Sequence, residues 1–486
     1  MIEQDLVTDK KKQNWIIASV CFASAIVTLD NYIVNISLPS ISQYFNVTTS
    51  QVSLVTMVYL LILTSCLITC GKLGDKYGLK NIFILGYAIF TAGSFLCGLA
   101  PNITILILAR CIQAIGGSML YALSFAIIPK FLPQNINGKA FGMVSAFAGL
   151  GMTLGAPLGG IITQYLSWHW VFLINVPIGI IAIIITWFVI PREKVDLHLK
   201  NVRFDIQGAV ILFICLAMLF FALNMGQELG WNSKIIIGSF ILFFIMFVLF
   251  IFREYKFKYP LIDFELFKDS NFNLASLSNV LAFMLLAGNN FLMPFYLVMV
   301  KGLKVDQAGF LILVFSIVYL LVCPFMGRFS DKINPVTLAS VGMVGCMLSS
   351  IFLVLTLNYS GLHFVIIYFV LLGLSYGCFM SPNNKYVTNI APEEKKATGS
   401  AYFKTISNLS QVLGVCLFET IFSHNIPYNI ETMGKSIIDL KINHNILITG
   451  FEHAYIYGAI ICLLAAIFFI LIKNNNKPVN VTSANF

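Results

Sequence analysis

Asp30 and Arg110 stand out because each is charged and each lies inside a long apolar run. In VTLDNYIVNISLP, Asp30 stands about fifteen residues beyond Trp15, roughly 22 Å of helix rise, so a helix through this run takes it deep into a bilayer. An ionised carboxylate there costs at least ~2.5–3.5 kcal/mol, which turns it toward a protein interior and makes proton binding or cation binding its natural chemistry. The competing structural reading is that Asp30 caps a kink or reaches the outer interface. Asn31, Tyr32 and Asn35 are candidates for the wall of the same cavity. In ILILARCIQAIGGSMLYAL, Arg110 sits well inside the run, with Gln113 three residues on and on the same helical face. A guanidinium so placed needs an internal partner, and the sequence offers Asp30 as a deep carboxylate.

The elements that must position these residues are transmembrane helices. Of the 486 residues, 58% are hydrophobic and 10% charged, and the mean hydropathy is +0.87, whereas soluble proteins carry about 25% charged residues. Runs of the ~20 residues that a span requires occur at 15–37, 51–71, 82–100, 103–129, 138–163, 169–190, 205–225, 235–253, 272–299, 308–328, 337–357, 361–381, 399–424 and 454–473. Fourteen spans place both termini on one side. Lysine and arginine gather in alternate connections, among them Lys72, Lys76 and Lys80, then Lys130 and Lys139, and later Arg328 and Lys332. The opposite connections hold only Lys234, Lys301, Lys304, Lys435 and Lys441. The lysine-rich side and both termini are thus expected to be cytoplasmic. The formal charge of +9 follows from this distribution and gives no reason to expect nucleic acid. The first span follows a polar, charged segment with no small-residue cleavage site and is read as retained. The eleven cysteines all fall inside apolar runs and are expected to be free thiols, with no metal site and no cofactor.

One connection is repeated. GKLGDKYGLKN, from Gly71 to Asn81, has a weaker echo in GRFSDKINPVTL, from Gly327 to Leu338, so that Gly71, Asp75 and Lys76 correspond to Gly327, Asp331 and Lys332. The bland reading of either copy is a positively charged turn on the cytoplasmic side. The other is a functional turn in which Gly71 lets backbones approach and Asp75 accepts hydrogen bonds from a neighbouring helix start. Eight spans separate the copies, two more than a duplication of six-helix halves requires. The seventh and eighth spans, between polar linkers at 191–204 and 254–271, are the natural insertions.

The first copy resembles the loop 2–3 signature of the major facilitator superfamily, G-x-L-a-D-r-x-G-r-k. The resemblance implies a cytoplasmic latch between two helical bundles, formed by Gly71, Asp75, Lys76 and Gly78, with Asp331 in the second copy. Arg110-x-x-Gln113 is similar to the family's helix 4 signature associated with proton coupling, with Ala114 where that signature has glycine. GLGMTLGAPLGGIITQ places Gly151, Gly155 and Gly159 at four-residue steps. Such a ridge serves close helix packing by itself, and with Pro157 and Gly160 it also resembles the antiporter signature g-x-x-x-G-P-x-x-G-G. SWHWVFLINVPIG looks like the run entering helix 6 of the fourteen-helix drug/proton antiporters, and Leu29 to Pro39 fits their helix 1 pattern.

The expected fold is therefore all-α and polytopic: two six-helix bundles of the major facilitator type plus two extra central helices. The expected order is a cytoplasmic N-terminus over 1–14, a first bundle over 15–190, and a linker with two spans over 191–271. A second bundle over 272–473 follows, with an outer loop at 425–453, then a cytoplasmic tail over 474–486. Asn289 and Asn290 are further candidates for a central path, while Glu228 and Glu419 are expected at the surface near outer helix ends. Pro294, Pro324 and Pro382 are expected to break or kink their helices. The G-x-S-x-G match at Gly373–Gly377 lies in an apolar helix with no preceding strand, so no enzyme is expected. The expected function is proton-coupled efflux of lipophilic cationic or neutral drugs by a monomer in the cytoplasmic membrane, with protons and a small molecule as its partners in the bilayer. The alternatives are a dedicated exporter of one metabolite or antibiotic, and a non-transporting membrane sensor.

Overall fold

Long apolar runs without water must satisfy their own backbone, and helices do so within one segment. The computed structural model describes residues 7–191, 206–256, 269–330, 332–390, 396–424 and 444–472, and these hold fifteen α-helices and no strand. They are α1 (Lys10–Phe45), α2 (Thr49–Tyr77), α3 (Leu79–Gly98), α4 (Ile103–Phe131), α5 (Gln134–Tyr165), α6 (His169–Leu173), α7 (Asn175–Val189), α8 (Ile206–Leu229) and α9 (Lys234–Lys256). After these come α10 (Ser270–Phe295), α11 (Val305–Phe329), α12 (Pro335–Thr356), α13 (Leu362–Ile390), α14 (Lys396–His424) and α15 (His444–Ile470). α6 and α7 form one crossing, His169–Val189; 13 helices are long and apolar enough to span a membrane, and α8 adds the shorter apolar stretch Val210–Gly226. The protein is an all-α polytopic membrane protein.

Several boundaries differ from the sequence reading. α1 starts at Lys10, where the Asp9 carboxylate caps the Lys11 N–H at 2.9 Å, and runs past Pro39 to Asn46, whose left-handed φ of 53° ends it. α2 runs through Gly71 as far as Tyr77, so most of GKLGDKYGLKN is helix rather than turn. The reversal is confined to Gly78, whose φ of +96° suits a residue without Cβ, and α3 starts at the next residue. Gly71 makes no close approach, since a Cβ there meets nothing within 4 Å; Gly74 is the tight position, packed on Leu123 and Leu79. The side chain of Asp75 and the whole of Asp331 lie outside the described part of the structure, as do residues 425–443 of the expected outer loop; from His444 that segment is helix. Pro294, Pro324 and Pro382 lie inside continuous helices, with Pro294 followed by a π-helical stretch at Tyr296–Val300.

The first crossings pack together as α1 on α5, α3 on α4 and α2 on α4, with α7 on α3. The last six pack as α12 on α13 and α15, α11 on α13, and α10 on α14 and α15. The two groups meet where α5 packs on α11 and α2 on α14. α8 and α9 pack on each other, and α8 also rests on both α2 and α14, across that meeting line.

Candidate functional site

Four helices of the first group converge on Asp30. Their convergence depends on residues without side chains: a Cβ on Gly93 of α3 would stand 2.5 Å from the Gln113 backbone nitrogen of α4. On the other flank of α1, a Cβ on Gly151 would lie 2.6 Å from Ala25 O, and one on Gly159 would lie 2.6 Å from Ile33 O, with Gly155 against Tyr32 between them. The glycine ridge of α5 therefore seats α1, which is its packing reading.

At the convergence Arg110 Nη1 donates to Asp30 Oδ2 at 2.5 Å, and both side chains are 0% exposed. Gln113 Nε2 and Asn175 Nδ2 donate to Asp30 Oδ1, each at 2.9 Å. Gln113 also accepts from Arg110 Nη1 at 2.7 Å and donates to Ser94 Oγ at 2.8 Å, while Arg110 Nε donates to Val55 O at 3.3 Å. The structure thus brings Asp30, Arg110 and Gln113 together and adds Asn175 and Ser94, neither singled out from sequence. A buried ion pair stands only when its remaining hydrogen-bonding positions are filled, and here three donors hold the carboxylate. One position is open: Arg110 Nη2 has no hydrogen-bond partner. Its guanidinium carbon lies 4.0 Å from the centre of the Tyr59 ring, a cation–π contact.

Tyr59, itself 0% exposed, also borders a cavity between the helices. That cavity, about 270 Å³, is walled by the rings of Tyr32, Tyr59, Tyr121, Tyr319 and Tyr376 and by the amides of Asn31, Asn408 and Gln411. Among the described residues no charged side chain lines it, and Asp30 itself is not in its wall. Four buried polar atoms of the lining have no partner: Tyr59 Oη, Tyr376 Oη, Asn31 Oδ1 and Asn408 Nδ2. Asn290 stands beside the Tyr32 hydroxyl. Asn35 and Asn289 are not part of the wall: Asn35 Oδ1 accepts from Thr56 at 3.0 Å, and Asn289 Oδ1 from Tyr368 at 2.7 Å and Tyr455 at 3.1 Å. Both are spent on helix-to-helix hydrogen bonds.

The line between the two groups is sealed at its lysine-poor end. A Cβ on Gly160 would lie 2.6 Å from Val305 O, and one on Gly309 would meet Ala156 O and Pro157, so α5 and α11 touch backbone to backbone. Tyr165 donates to Asp306 there at 3.1 Å. Lys301 reaches back to Leu357 O at 3.2 Å and to Tyr359 O, and partial burial pushes its pKa below the ordinary lysine range. Toward the Gly78 end, Gly138 and Gly142 of α5 face open space.

The same sealed end corrects the reading of Glu419, which is 0% exposed rather than at the surface. Its Oε1 accepts from Ser50 at 2.6 Å and Thr49 at 3.3 Å, and its Oε2 from Asn224 Nδ2 at 3.3 Å. Glu228 is half-buried and accepts from Gln51 at 2.5 Å and Thr48 at 3.3 Å. Glu419 looked superficial because its cover comes from two helices distant in sequence.

Residues 20–415 match the Major Facilitator Superfamily. The chain belongs to that superfamily. Among curated relatives, it is 35% identical over 419 residues to the riboflavin transporter RibZ of Clostridioides difficile, covering 86% of this chain and 90% of that protein. It is 32% identical over 373 residues to multidrug resistance protein 3 of Bacillus subtilis, covering 76% and 71% of the two chains. In fold it is similar to the inward-facing, unoccupied structure of a bacterial homolog of the human lysosomal transporter Spinster, with a TM-score of 0.71 at 16% identity over 96% of this chain and 97% of the other. The protein is a membrane transporter of small molecules and not an enzyme.

Proposed function

We propose that this superfamily member is a proton-coupled exporter of planar aromatic compounds, uncharged or with a delocalised positive charge, across the bacterial cytoplasmic membrane. The observation that carries the reading is an uncharged cavity of tyrosine rings and unpartnered polar atoms, one ring of which separates it from the buried Asp30–Arg110 pair. A flat ligand stacks on such rings while its polar edge takes the free hydroxyls and amides. A cation held there would be held by ring faces. The direct exchange of drug for proton on one carboxylate does not follow from this geometry, because Asp30 is not in the wall.

Coupling then passes through Tyr59. A ligand that displaces Tyr59 disturbs the ring packed on Arg110, and any shift of Arg110 changes how firmly Asp30 holds a proton. Gln113 and Asn175 keep the carboxylate aimed at the guanidinium. With the lysine-rich end taken as cytoplasmic, the sealed line between α5 and α11 lies outside, as an inward-facing arrangement requires. Rocking of two six-helix bundles, 15–190 and 272–473, would alternate access to the cavity, with Gly71, Asp75, Lys76, Gly78 and Asp331 as the cytoplasmic latch. A monomer suffices for this cycle. Exchange of one proton for one neutral ligand draws on the membrane potential at ~2.3 kcal/mol per 100 mV, roughly a 50-fold gradient.

A second reading, transport of a single planar metabolite, is favoured by the 35% identity to a riboflavin transporter and by the same polar-edged cavity. Proteoliposomes holding a pH-sensitive dye test both, with riboflavin and ethidium as probes. Proton movement triggered by ethidium and riboflavin alike supports the broad exporter, and movement with riboflavin alone the dedicated one. Asp30→Asn is expected to abolish the proton movement while the protein stays folded. Normal pH-driven transport by that variant sinks the coupling role of Asp30, and no proton movement with any aromatic probe sinks proton-coupled transport.

A further inference from the structure

Among the described residues the fold takes three acids out of water, Asp30, Glu254 and Glu419, and coupling at Asp30 makes no use of Glu419. It lies at the junction of three segments that are far apart in sequence: the first turn of α2, the end of α8 and the end of α14. Ser50 and Thr49 reach it from the first group of crossings, Asn224 from the inserted pair, and Glu419 itself belongs to the last group. Asn224 Nδ2 also donates to Ser53 Oγ at 2.7 Å, and Thr420 donates to Leu223 O at 3.1 Å, so α8 is tied to both sides of the meeting line. Glu228, one turn beyond Asn224, holds Gln51 and Thr48 of the same α2 turn.

We propose that Glu419 is a second proton-binding carboxylate, loaded from the lysine-poor face, and that its protonation lets α2 and α14 close over it. The proposal rests on the antiport reading above. When the two groups part at this end, Glu419 leaves Ser50 and Thr49 and meets water, which solvates the carboxylate anion. Closing returns it to hydroxyls and an amide in a site with no exposed surface. An ionised carboxylate enters such a site at a large desolvation cost and a neutral acid at a small one, so a proton taken from outside favours closure. The added O–H also supplies a donor to a junction in which the buried Asn224 Oδ1 has none. This gives the cycle its order, because a carrier that has released its cargo outside shuts readily only after a proton arrives.

The elements packed on α14 carry these titratable residues: Cys215 and Glu228 on α8, Glu452, His453, Tyr455, Tyr457 and Cys462 on α15, and His363, Tyr368, Tyr376, Cys378, Lys385 and Tyr386 on α13, while α14 itself has Lys396, Tyr402, Lys404, Cys416 and His424. The facing segment of α2, residues 48–58, contains none, and neither does α10.

Infrared titration of the full-length protein in lipid tests the proposal without any substrate. A carboxylic-acid C=O band that titrates between mildly acidic and mildly alkaline pH is expected in Asp30→Asn, where Asp30 contributes none, and is expected to lose intensity when Glu419→Gln is added to that variant. An unchanged band in the double variant, or no titrating band in Asp30→Asn, overturns the proposal. A proton taken up and given back on one face is not carried across, so in dye-loaded proteoliposomes with riboflavin and ethidium as probes Glu419→Gln is expected to keep the native proton count per probe molecule while its transport rate loses the native dependence on the pH of the lysine-poor face. Transport by Glu419→Gln with the native dependence on that pH overturns the proposal and leaves the antiport reading standing; a native protein that moves no proton overturns antiport while the infrared band still decides on Glu419. If Glu419→Gln does not fold, Ser50→Ala keeps the acid and removes its shortest hydrogen bond, and the band is then expected to titrate at a different pH; no change overturns the proposal.

Discussion

Asp30 and Glu419 are both fully buried acids, yet their surroundings differ in kind. Asp30 is gripped by a guanidinium and two amides from α4 and α7, helices of its own group. Glu419 is held by hydroxyls and an amide from α2 and α8, helices outside its group. A network inside one group survives a rigid-body movement of the groups, whereas one across the meeting line must break whenever that line opens. The first is built to keep its geometry and the second to lose it.

The sharpest way to break this contrast is to remove Arg110. Arg110→Ala strands a buried carboxylate, and a loss of about 3–5 kcal/mol is expected in denaturation assays, along with all coupled transport. Arg110→Lys should fail to restore transport, because one ammonium cannot serve Asp30, Gln113 and Val55 O in the guanidinium's planar fork. At the other acid, the double variant Thr49→Val with Ser50→Ala removes two donors from a line that opens anyway. A stability loss of only about 1–3 kcal/mol is expected, with faster hydrogen exchange at the start of α2; a loss as large as that of Arg110→Ala would show the two junctions to be equivalent. The smallest effect belongs to Tyr59→Phe, which keeps the ring over Arg110 and deletes one buried, unpartnered hydroxyl of a cavity-lining residue. Weaker binding of riboflavin by about 2- to 10-fold, from a hydrogen bond of ~0.5–1.5 kcal/mol, is expected with proton coupling unchanged.

How much was legible in the sequence follows the same physics. Asp30, Arg110 and Gln113 were visible because charge inside an apolar run is rare and demands a partner. Asn175 and Ser94 were not, since a neutral polar residue on an apolar helix carries no sign of whether it meets a carboxylate or a backbone carbonyl. Glu419 was misplaced because depth was judged from the end of its own helix, while its burial is conferred by α2 and α8. Hydropathy located the apolar helices, thirteen of them long enough to span among the described residues and α8 with a shorter apolar stretch, but not their ends: α2 and α13 continue well past the apolar stretch, where charged residues remain compatible with helix. In α5 the spacing of the glycines was plain, yet it did not tell that Gly151, Gly155 and Gly159 face α1 while Gly160 faces α11.

That last contact bears on more than closure. Where Gly160 meets Val305 and Gly309 meets Ala156, main chain lies on main chain and no side chain intervenes. So tight a join excludes a file of water molecules, and without such a file protons cannot hop through the shut end of the carrier. The absence of two methyl groups thus guards the membrane's proton gradient against a short circuit.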